Sequence, residues 1–403
     1  MTDPVIIVGA SMGGLRVAEA LRRAGYTGPI TAFGDEPYPP YNRPPLSKEV
    51  LASDVSLEAV QFPQRDATAD VNWVLNTRIE RTDLASNSLT DEHGHSHTFS
   101  ALIIATGIRS KRAEWANPVM TGRHAVRSLD DAIALRAALN PGTKVVVYGA
   151  GFIGCETAAT ARKLGCDVTI VAPGVEPIAR YLGLDFAQWI RAAHDAHGVQ
   201  FRMQSRIDNT IGDDRITGVV LDDGSTLECD VLIEAIGSIP NVEWLAGNDL
   251  DLSDGVLTNT AMQAVRTDGT VVTNVFALGD VARFPNALFD DEPRRVEHWN
   301  IPTDTAKRVA EVAAAQLAGS DSVDEIVAKR FAPVPSFWSD QYDIHMLAYG
   351  IVGLADRSEM LHNTFDDDEF CVGYYRGDEL VGVCGVGMRN VVMGYRAKVG
   401  SSA

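Results

Sequence analysis

Two short apolar runs, each followed by a glycine-rich turn and an alanine-rich segment, dominate the hydrophobic pattern of the chain. The first is VIIVGASMGGLRVAEALRRAG, which starts at Val5, and the second is VVVYGAGFIGCETAATARKLG, which starts at Val145. The two align without a gap. Four apolar residues before a turn predict a buried strand, and the spacing after the turn predicts a helix. Each segment therefore predicts the first half of a βαβ unit.

Glycines recur at the same places in both turns. Gly9 corresponds to Gly149 and Gly14 to Gly154, whereas Ser11 stands where the second turn has Gly151. Such spacing permits a tight turn, close approach of the backbone to a pyrophosphate, and close packing of helix on strand. The free N–H groups at the helix N-terminus favour phosphate. The repeat predicts two dinucleotide sites, and we interpret Ser11 as a tolerated variant of a working site.

Acidic residues that would hold an adenosine ribose differ between the two motifs. The apolar run ITAF is followed by Gly34, Asp35 and Glu36, and Asp35 is about where a ribose carboxylate belongs. The corresponding run DVTIV ends at Ala172, and Glu176 and Arg180 lie further on. The sequence thus leaves the choice between NADH and NADPH open.

Composition excludes several classes of protein. The net charge of −19 and the pI near 4.8 argue against a nucleic-acid partner, which requires clustered Lys and Arg. No apolar run approaches the roughly 18 residues of a membrane span, and the N-terminus lacks the basic region of a signal peptide. Five scattered cysteines form neither a CxxC pair nor a zinc pattern. We expect a cytoplasmic protein, without a metal site.

Further segments carry a family resemblance. They are PYPPYNRPPLSKEVL at 37–51, LIIATGIRSKR at 102–112, VFALGDVARF at 275–284, RVEHWN at 295–300 and VPSFWSDQYD at 334–343. Together with the repeat, they resemble the FAD-dependent ferredoxin reductases that serve haem-thiolate monooxygenases and aromatic-ring dioxygenases. The resemblance covers nearly the whole chain, and its RPPLSK hexapeptide is highly specific.

The resemblance implies that the first motif binds FAD and the second binds the nicotinamide coenzyme. The residues expected at FAD are Gly9, Ser11, Gly13, Gly14, Asp35, Glu36, Arg43, Lys48, Ala105, Thr106, Gly107, Arg109, Gly279 and Asp280. Those expected at the coenzyme are Gly149, Gly151, Phe152, Ile153, Gly154 and Glu156. Further expected cofactor contacts are Gly237, Glu297, His298, Trp299 and Trp338, with the two tryptophans as walls of the flavin pocket.

Lys48 and Glu156 are the expected catalytic residues. By the resemblance, Lys48 lies near the reactive edge of the isoalloxazine and Glu156 lies beside the nicotinamide ring. A positive charge near the flavin would favour the negative charge that grows there on reduction. On the residues alone, Lys48 could equally be a solvated loop lysine, and Glu156 an acid that suits the first turn of a helix.

The fold implied is α/β, with two Rossmann-like dinucleotide-binding domains and a small α/β C-terminal domain. We expect an FAD domain at 1–112 and 241–325, an NAD(P)H domain at 113–240 and a C-terminal domain at 326–403. SLDDAIALRAAL and TDTAKRVAEVAAAQLAG read as helices, and EFCVGYYR and ELVGVCGVG as strands of a hairpin. The alternating histidines of DEHGHSH at 91–97 fit a solvated hairpin turn better than a metal site.

The resemblance implies an enzyme that passes electrons from NAD(P)H through FAD to a separate iron–sulfur protein, which supplies an oxygenase. The chain has no cluster-binding cysteine set of its own, so the carrier is expected to be a ferredoxin-type protein or a rubredoxin. We expect a monomer or weak dimer. A disulfide reductase is disfavoured because residues 35–60 contain no cysteine. The remaining alternative is a flavoprotein similar to monodehydroascorbate reductase or apoptosis-inducing factor, acting as a redox sensor or interaction protein.

Overall fold

The computed structural model describes residues 3–53, 55–63, 65–115, 117 and 119–401. The helices, numbered in chain order, are α1 (Met12–Arg23), α2 (Glu49–Ala52), α3 (Leu57–Val60), α4 (Leu129–Ala138), α5 (Phe152–Lys163), α6 (Ala179–Leu182), α7 (Leu184–Ala196), α8 (Ile301–Leu317), α9 (Val323–Val327) and α10 (Arg389–Tyr395). None of the helices described is both long enough and apolar enough to cross a membrane.

The strands are numbered in the same way. They are β1 (Val5–Val8), β2 (Ile30–Phe33), β3 (Asn72–Val74), β4 (Ile79–Asp83), β5 (Ser88–Asp91), β6 (Ser96–Thr98), β7 (Ala101–Ile104), β8 (Ile108–Ser110), β9 (Arg123–His124), β10 (Lys144–Tyr148), β11 (Asp167–Ala172), β12 (Gln200–Met203), β13 (Ile207–Ile211), β14 (Gly218–Leu221), β15 (Thr226–Glu228), β16 (Val231–Glu234), β17 (Ser238–Pro240), β18 (Val256–Leu257), β19 (Gln263–Val265), β20 (Val271–Ala277), β21 (Ala282–Phe284), β22 (Arg294–Arg295), β23 (Ser336–Gln341), β24 (Ile344–Gly350), β25 (Arg357–His362), β26 (Phe370–Arg376) and β27 (Glu379–Val386).

The chain divides into two compact units. Unit 1 comprises Met1–Asn42, Gln61–Arg109 and Pro240–Ser336. Unit 2 comprises Arg43–Val60, Ser110–Ile239 and Phe337–Ala403. The domain boundaries expected from the sequence stay a prediction.

Unit 1 is built on a six-stranded sheet in the order β19-β20-β7-β1-β2-β3. Strands β20, β7, β1, β2 and β3 run parallel, and β19 pairs antiparallel with β20. The central strand β1 is buried at every position, as its uninterrupted apolar run predicts. Helix α1 follows β1 directly, so the first glycine turn lies at the carboxyl end of the central strands, where ligands bind in such sheets.

Unit 2 repeats this arrangement with the second motif. Its parallel sheet has the order β12-β11-β10-β16-β9, with β10 central and α5 directly after it. A second, antiparallel sheet in this unit has the order β23-β24-β27-β26-β25. The hairpin of β26 and β27 confirms the prediction made from EFCVGYYR and ELVGVCGVG.

The histidine-rich segment forms the predicted hairpin turn between β5 and β6. Asp91 accepts hydrogen bonds from the backbone N–H groups of His93 and His95, and lies 2.9 Å from Nε2 of His97. The hydrogen bond with His97, the largest contribution, lowers the pKa of Asp91. The segment is thereby stabilised as a turn around one carboxylate.

Helix α4 begins with a capping box, which explains why SLDDAIALRAAL forms a helix where its sequence predicts one. The hydroxyl of Ser128 accepts a hydrogen bond from the N–H of Asp131 at 3.1 Å, and the Asp131 carboxylate accepts one from the N–H of Ser128 at 2.9 Å. Two N–H groups that the helix itself leaves unpaired are thus satisfied.

Replacing Ser128 with Ala should lower the free energy of unfolding by about 1 kcal/mol, because the N–H of Asp131 loses its acceptor. Urea unfolding at a fixed FAD concentration would measure the change. An unfolding midpoint equal to that of the parent protein would show that the box does not stabilise the helix.

Candidate functional site

The first glycine turn brings backbone against backbone. Gly9 has φ +119°, and a Cβ built on it would lie 2.1 Å from the carbonyl oxygen of Ala105. A Cβ on Gly14 would lie 2.1 Å from the oxygen of Gly9. Only glycine fits at either position, since real Cβ atoms do not approach other atoms so closely. The result is a glycine-lined helix N-terminus of the kind that binds a pyrophosphate.

The second turn has nearly the same geometry. Gly149 has φ +115°, and its Cβ would lie 2.2 Å from the oxygen of Ala235. A Cβ on Gly154 would lie 2.1 Å from the oxygen of Gly149. The N–H of Gly149 donates to Val171 at 2.8 Å, just as Gly9 donates to Phe33 at 2.8 Å. The two motifs therefore match in backbone conformation as well as in sequence.

Ser11 does not disturb its turn. It is the N-cap of α1 with φ −111° and ψ −159°, an extended conformation that any residue adopts. Its counterpart Gly151 has φ −80° and ψ −175°, and a Cβ built on Gly151 would meet no atom within 4 Å. The variation thus occurs at a position with room for a side chain, and the first turn fits a pyrophosphate as well as the second.

A buried ion pair lies beside the second turn. Nζ of Lys48 is 2.8 Å from Oε2 of Glu156, and the two residues are only 8% and 2% exposed. Ser47 donates to the same carboxylate oxygen at 2.6 Å, and Ser339 donates to Oε1 at 2.6 Å. Lys48 also donates to the carbonyl of Pro44 at 3.2 Å. Such a pair is tolerated away from water because each charge is matched and hydrogen-bonded.

Two elements of unit 2 position the ion pair of Lys48 and Glu156. Pro44–Ser47 forms a 3-10 helix that starts with two prolines and directs Ser47 and Lys48 to one side. Thr160 on α5 donates to the carbonyl of Ser47 at 3.0 Å and fastens the two elements together. Glu156 lies about one turn into α5. The structure therefore brings together the two residues predicted to be catalytic; their roles stay a prediction.

Ser47 and Ser339 were missed in the sequence analysis. Both lie inside the segments that carry the resemblance, RPPLSK and VPSFWSDQYD, which is the only signal that could have pointed to them. Neither has a spacing to Glu156 that a periodic pattern would detect.

Most of the residues predicted to contact FAD lie in unit 1, next to its glycine turn or on its loops. Thr106 and Asn241 exchange two hydrogen bonds, from Oγ1 to the carbonyl at 2.7 Å and from Nδ2 to the carbonyl at 3.0 Å. The N–H of Gly279 donates to Oγ1 of Thr305 at 3.1 Å. These bonds fix the loops after β7 and β20, which include the predicted residues Ala105, Gly107, Gly279 and Asp280.

The two acids after β2 differ in environment. Asp35 is exposed, whereas Glu36 is half-buried and accepts a hydrogen bond from the hydroxyl of Tyr41 at 2.5 Å. Arg109, also predicted at FAD, pairs with Glu243 at 2.6 Å and donates to Asn241 at 2.9 Å. Of the two acids, Glu36 therefore has the more fixed carboxylate.

The remaining predicted residues are divided between the units. In unit 1, Gly13 lies in the first turn of α1, Glu297 pairs with Arg295 at 2.7 Å, and Trp299 is 41% exposed. Burial lowers the pKa of His298 to about 4, so this imidazole is neutral at neutral pH.

In unit 2, Arg43 donates to the carbonyl of Arg127 at 2.8 Å, Trp338 lies on β23, and Gly237 has φ +109°. Phe152, on the first turn of α5, packs against Tyr181 and Phe337 with ring centroids 5.5 and 4.9 Å away.

The end of β11 carries no acidic side chain. Ala172 is buried there, and the next acid, Glu176, accepts hydrogen bonds from Arg191 at 3.1 and 3.3 Å. Arg180 is exposed.

Ile153, the second residue of α5, is also exposed, on the same turn as the glycines.

Comparison with known proteins is consistent with this geometry. The family model described as Pyridine nucleotide-disulphide oxidoreductase matches residues 3–316, and the one described as Reductase C-terminal matches residues 336–403. Rhodocoxin reductase of Rhodococcus erythropolis is 30% identical over 386 residues, which cover 94% of this chain and 85% of that protein. The chain belongs to the ferredoxin reductase family.

Other family members support the same assignment. The ferredoxin–NAD(+) reductase component of the anthranilate 1,2-dioxygenase system of Burkholderia cepacia is 33% identical over 362 residues, covering 87% of this chain and 82% of that protein. The solved structure of a covalent putidaredoxin reductase–putidaredoxin complex has a TM-score of 0.88 at 28% identity, covering 98% of this chain and 92% of that one. The predicted family, fold class and enzyme class are thus confirmed.

Replacing Ser11 with Gly should leave the FAD content of the purified protein nearly unchanged, because serine and glycine both adopt the extended backbone conformation of this position. The absorbance ratio of flavin to protein measures this content.

Gly14→Ala is the matched control, and it should lose most of the bound FAD, since its Cβ would collide with the oxygen of Gly9. A large loss of FAD in Ser11→Gly would mean that the hydroxyl is a required ligand of the phosphate.

Proposed function

We propose that this chain carries electrons from NADH through FAD to a separate ferredoxin-type iron–sulfur protein, which supplies an oxygenase. It is an oxidoreductase that uses FAD and a nicotinamide coenzyme. The observation that carries the proposal is the second glycine turn with the buried pair of Lys48 and Glu156 beside it. Relatives described as ferredoxin–NAD(+) reductase components of dioxygenase systems support the choice of partner.

The first glycine turn is the proposed pyrophosphate site of FAD. Its fit rests on the close approach of Gly9 and Gly14 and on the free N–H groups at the start of α1. Glu36 is the proposed ribose ligand, because Tyr41 holds its carboxylate in place. Bound FAD supplies the chemistry that accepts a hydride and releases electrons one at a time. The protein binds it, orients it and adjusts its electrostatic surroundings.

The second turn is the proposed site of the coenzyme. Gly149, Gly151 and Gly154 would receive the pyrophosphate on the helix N-terminus of α5. Glu156, about one turn further along that helix, would contact the carboxamide side of the nicotinamide and orient the ring. Lys48 would pair with this carboxylate and supply the positive charge that favours reduction. These roles rest on the residues' positions in unit 2 and on the family's pattern.

NADH is the proposed coenzyme, although β11 ends in Ala172 and not in an acid. Relatives of similar length are described as ferredoxin–NAD(+) reductases, which supports this choice. The carboxylate of Glu176 is held by Arg191 close after the strand end and is a candidate for the ribose contact. We also propose that the enzyme works in the cytoplasm, in keeping with five free, buried cysteines.

The alternative of a redox sensor similar to apoptosis-inducing factor is not favoured. The similar proteins named above are electron-transfer components, and none is described as a sensor.

Replacing Glu156 with Gln should slow the reduction of bound FAD by NADH at least about tenfold, because the amide cannot reproduce a charged hydrogen bond. Stopped-flow absorbance under anaerobic conditions gives the rate. FAD content should stay near that of the parent protein. Loss of FAD instead of a slower rate would show that Glu156 does not belong to the coenzyme site.

The matched control is Glu19→Gln. Glu19 is also buried and paired, with Arg16 at 3.0 Å on α1, so this variant reports the general cost of removing a buried carboxylate. It should reduce stability and leave the rate of reduction within about twofold, since a structural charge does not contribute to the chemical step.

The role of the partner is tested by turnover. With NADH in excess, the enzyme should reduce cytochrome c only slowly by itself and many times faster when a [2Fe–2S] ferredoxin is added, because the carrier accepts single electrons. Rubredoxin in place of the ferredoxin distinguishes the two carriers. Equal rates with and without either carrier would contradict the proposal.

A further inference from the structure

A line of buried polar side chains leads away from Glu156 on the side opposite to Lys48. Ser339, Gln341 and His194 are each fully buried. Oγ of Ser339 lies 3.1 Å from Nε2 of Gln341, whose Oε1 lies 2.8 Å from Nε2 of His194. Nδ1 of His194 lies 3.3 Å from the hydroxyl of Tyr342. None of these four residues is among those predicted from the sequence to contact FAD or the coenzyme.

The charge on Glu156 determines the direction of every hydrogen bond in this line. An ionised carboxylate only accepts, so Ser339 must donate its single proton to Oε1. The oxygen of Ser339 can then only accept, which requires the amide nitrogen of Gln341 to face it. The amide oxygen of Gln341 therefore faces His194, and Nε2 of His194 must carry a proton.

The other nitrogen of His194 completes the line. With the proton on Nε2, Nδ1 of a neutral imidazole is an acceptor and receives the hydroxyl proton of Tyr342. Burial, the largest contribution, lowers the pKa of His194, which keeps the ring neutral. All four hydrogen bonds then point the same way, with their positive ends toward Glu156.

The fold explains why these residues meet. Ser339 and Gln341 are two positions apart on β23, so their side chains leave the same face of the strand. His194 lies near the end of α7, and Tyr342 follows β23 directly. His197 stacks on Tyr342 with ring centroids 3.7 Å apart and covers the outer end of the line.

We propose that Gln341 and His194 are positioning residues of the coenzyme site, which hold the proton of Ser339 on Glu156. Three donors, from Lys48, Ser47 and Ser339, then fix the orientation of both carboxylate oxygens. This inference rests on the proposed role of Glu156 toward the nicotinamide. It assigns a function to the segment that matches the Reductase C-terminal model, since β23 supplies two members of the line.

The tautomer of His194 is the first test, and it does not depend on turnover. Protein labelled with ¹⁵N-histidine is measured by NMR at pH 7, with His194→Gln used to assign the signal. The inference predicts a neutral ring protonated on Nε2. A ring protonated on Nδ1, or a charged ring at pH 7, would overturn it.

Two variants at one position test the effect on Glu156. In Gln341→Glu, an ionised carboxylate would accept the proton of Ser339 and remove it from Glu156, whereas the protonated acid preserves the original order. As the pH rises from 6 to 10, the new acid ionises, and the rate of FAD reduction by NADH should fall about tenfold further in Gln341→Glu than it does in the parent protein. The titratable groups hydrogen-bonded along this line are Glu156, His194 and Tyr342. The neighbouring titratable or charged groups that act on His194 or Tyr342 are His197, Asp195, Arg162 and Cys155.

In Gln341→Met, Ser339 loses the amide N–H that orients its oxygen but keeps Glu156 as an acceptor, so the rate should fall at every pH, by a smaller factor than in Gln341→Glu at high pH. A purely structural role predicts the opposite ranking, because Glu has nearly the shape of Gln and Met loses both hydrogen bonds. Gln263→Met, at a buried glutamine of unit 1, controls for general loss of a buried amide. Identical pH profiles for Gln341→Glu and the parent protein would overturn the inference.

The two proposals fail in different ways. If Glu156→Gln reacts with NADH at the parental rate, the proposed function of Glu156 is wrong, whatever the tautomer of His194. If Glu156→Gln is slow but Gln341→Glu has the parental pH profile, only the positioning role is wrong.

Discussion

The candidate site depends on one buried charge pair. Removing Lys48 and Glu156 from water costs several kcal/mol per ion, and only a fully hydrogen-bonded arrangement offsets that cost. This requirement explains why Ser47, Pro44 and Ser339 converge on the pair. It also connects three segments that are far apart in sequence, so the glycine turn, the RPPLSK segment and the C-terminal strands of unit 2 must fold together for the pair to form.

A second constraint acts on the backbone and is independent of charge. In both repeats, a Cβ built on the first glycine would lie about 2 Å from a carbonyl oxygen. A Cβ built on the third glycine would lie about 2 Å from the carbonyl oxygen of the first. Side chains are excluded at Gly9, Gly14, Gly149 and Gly154 but not at the middle position. The sequence GASMGG therefore keeps the backbone geometry of the second turn, because Ser11 replaces the one glycine that the geometry does not need.

Local patterns in the sequence predicted the repeated unit, the capped helix α4 and the C-terminal hairpin, since each depends on residues close together in the chain. The partnership of Lys48 with Glu156 came only from the resemblance to a family. Ser339, Gln341 and His194 could not be predicted, because no periodicity relates residues that meet through separate strands and helices. Ala172 shows a further limit, because a strand end without an acidic side chain does not indicate which nicotinamide coenzyme is used.

The central claim is that this chain is a flavoprotein driven by a nicotinamide coenzyme. The most direct test is the visible spectrum of the purified protein after anaerobic mixing with NADH and, in parallel, with NADPH. We predict that the flavin absorbance disappears within the first seconds, and that it disappears faster with NADH than with NADPH. A yellow protein whose absorbance neither coenzyme changes, or a protein that stays colourless after FAD is added, would contradict it.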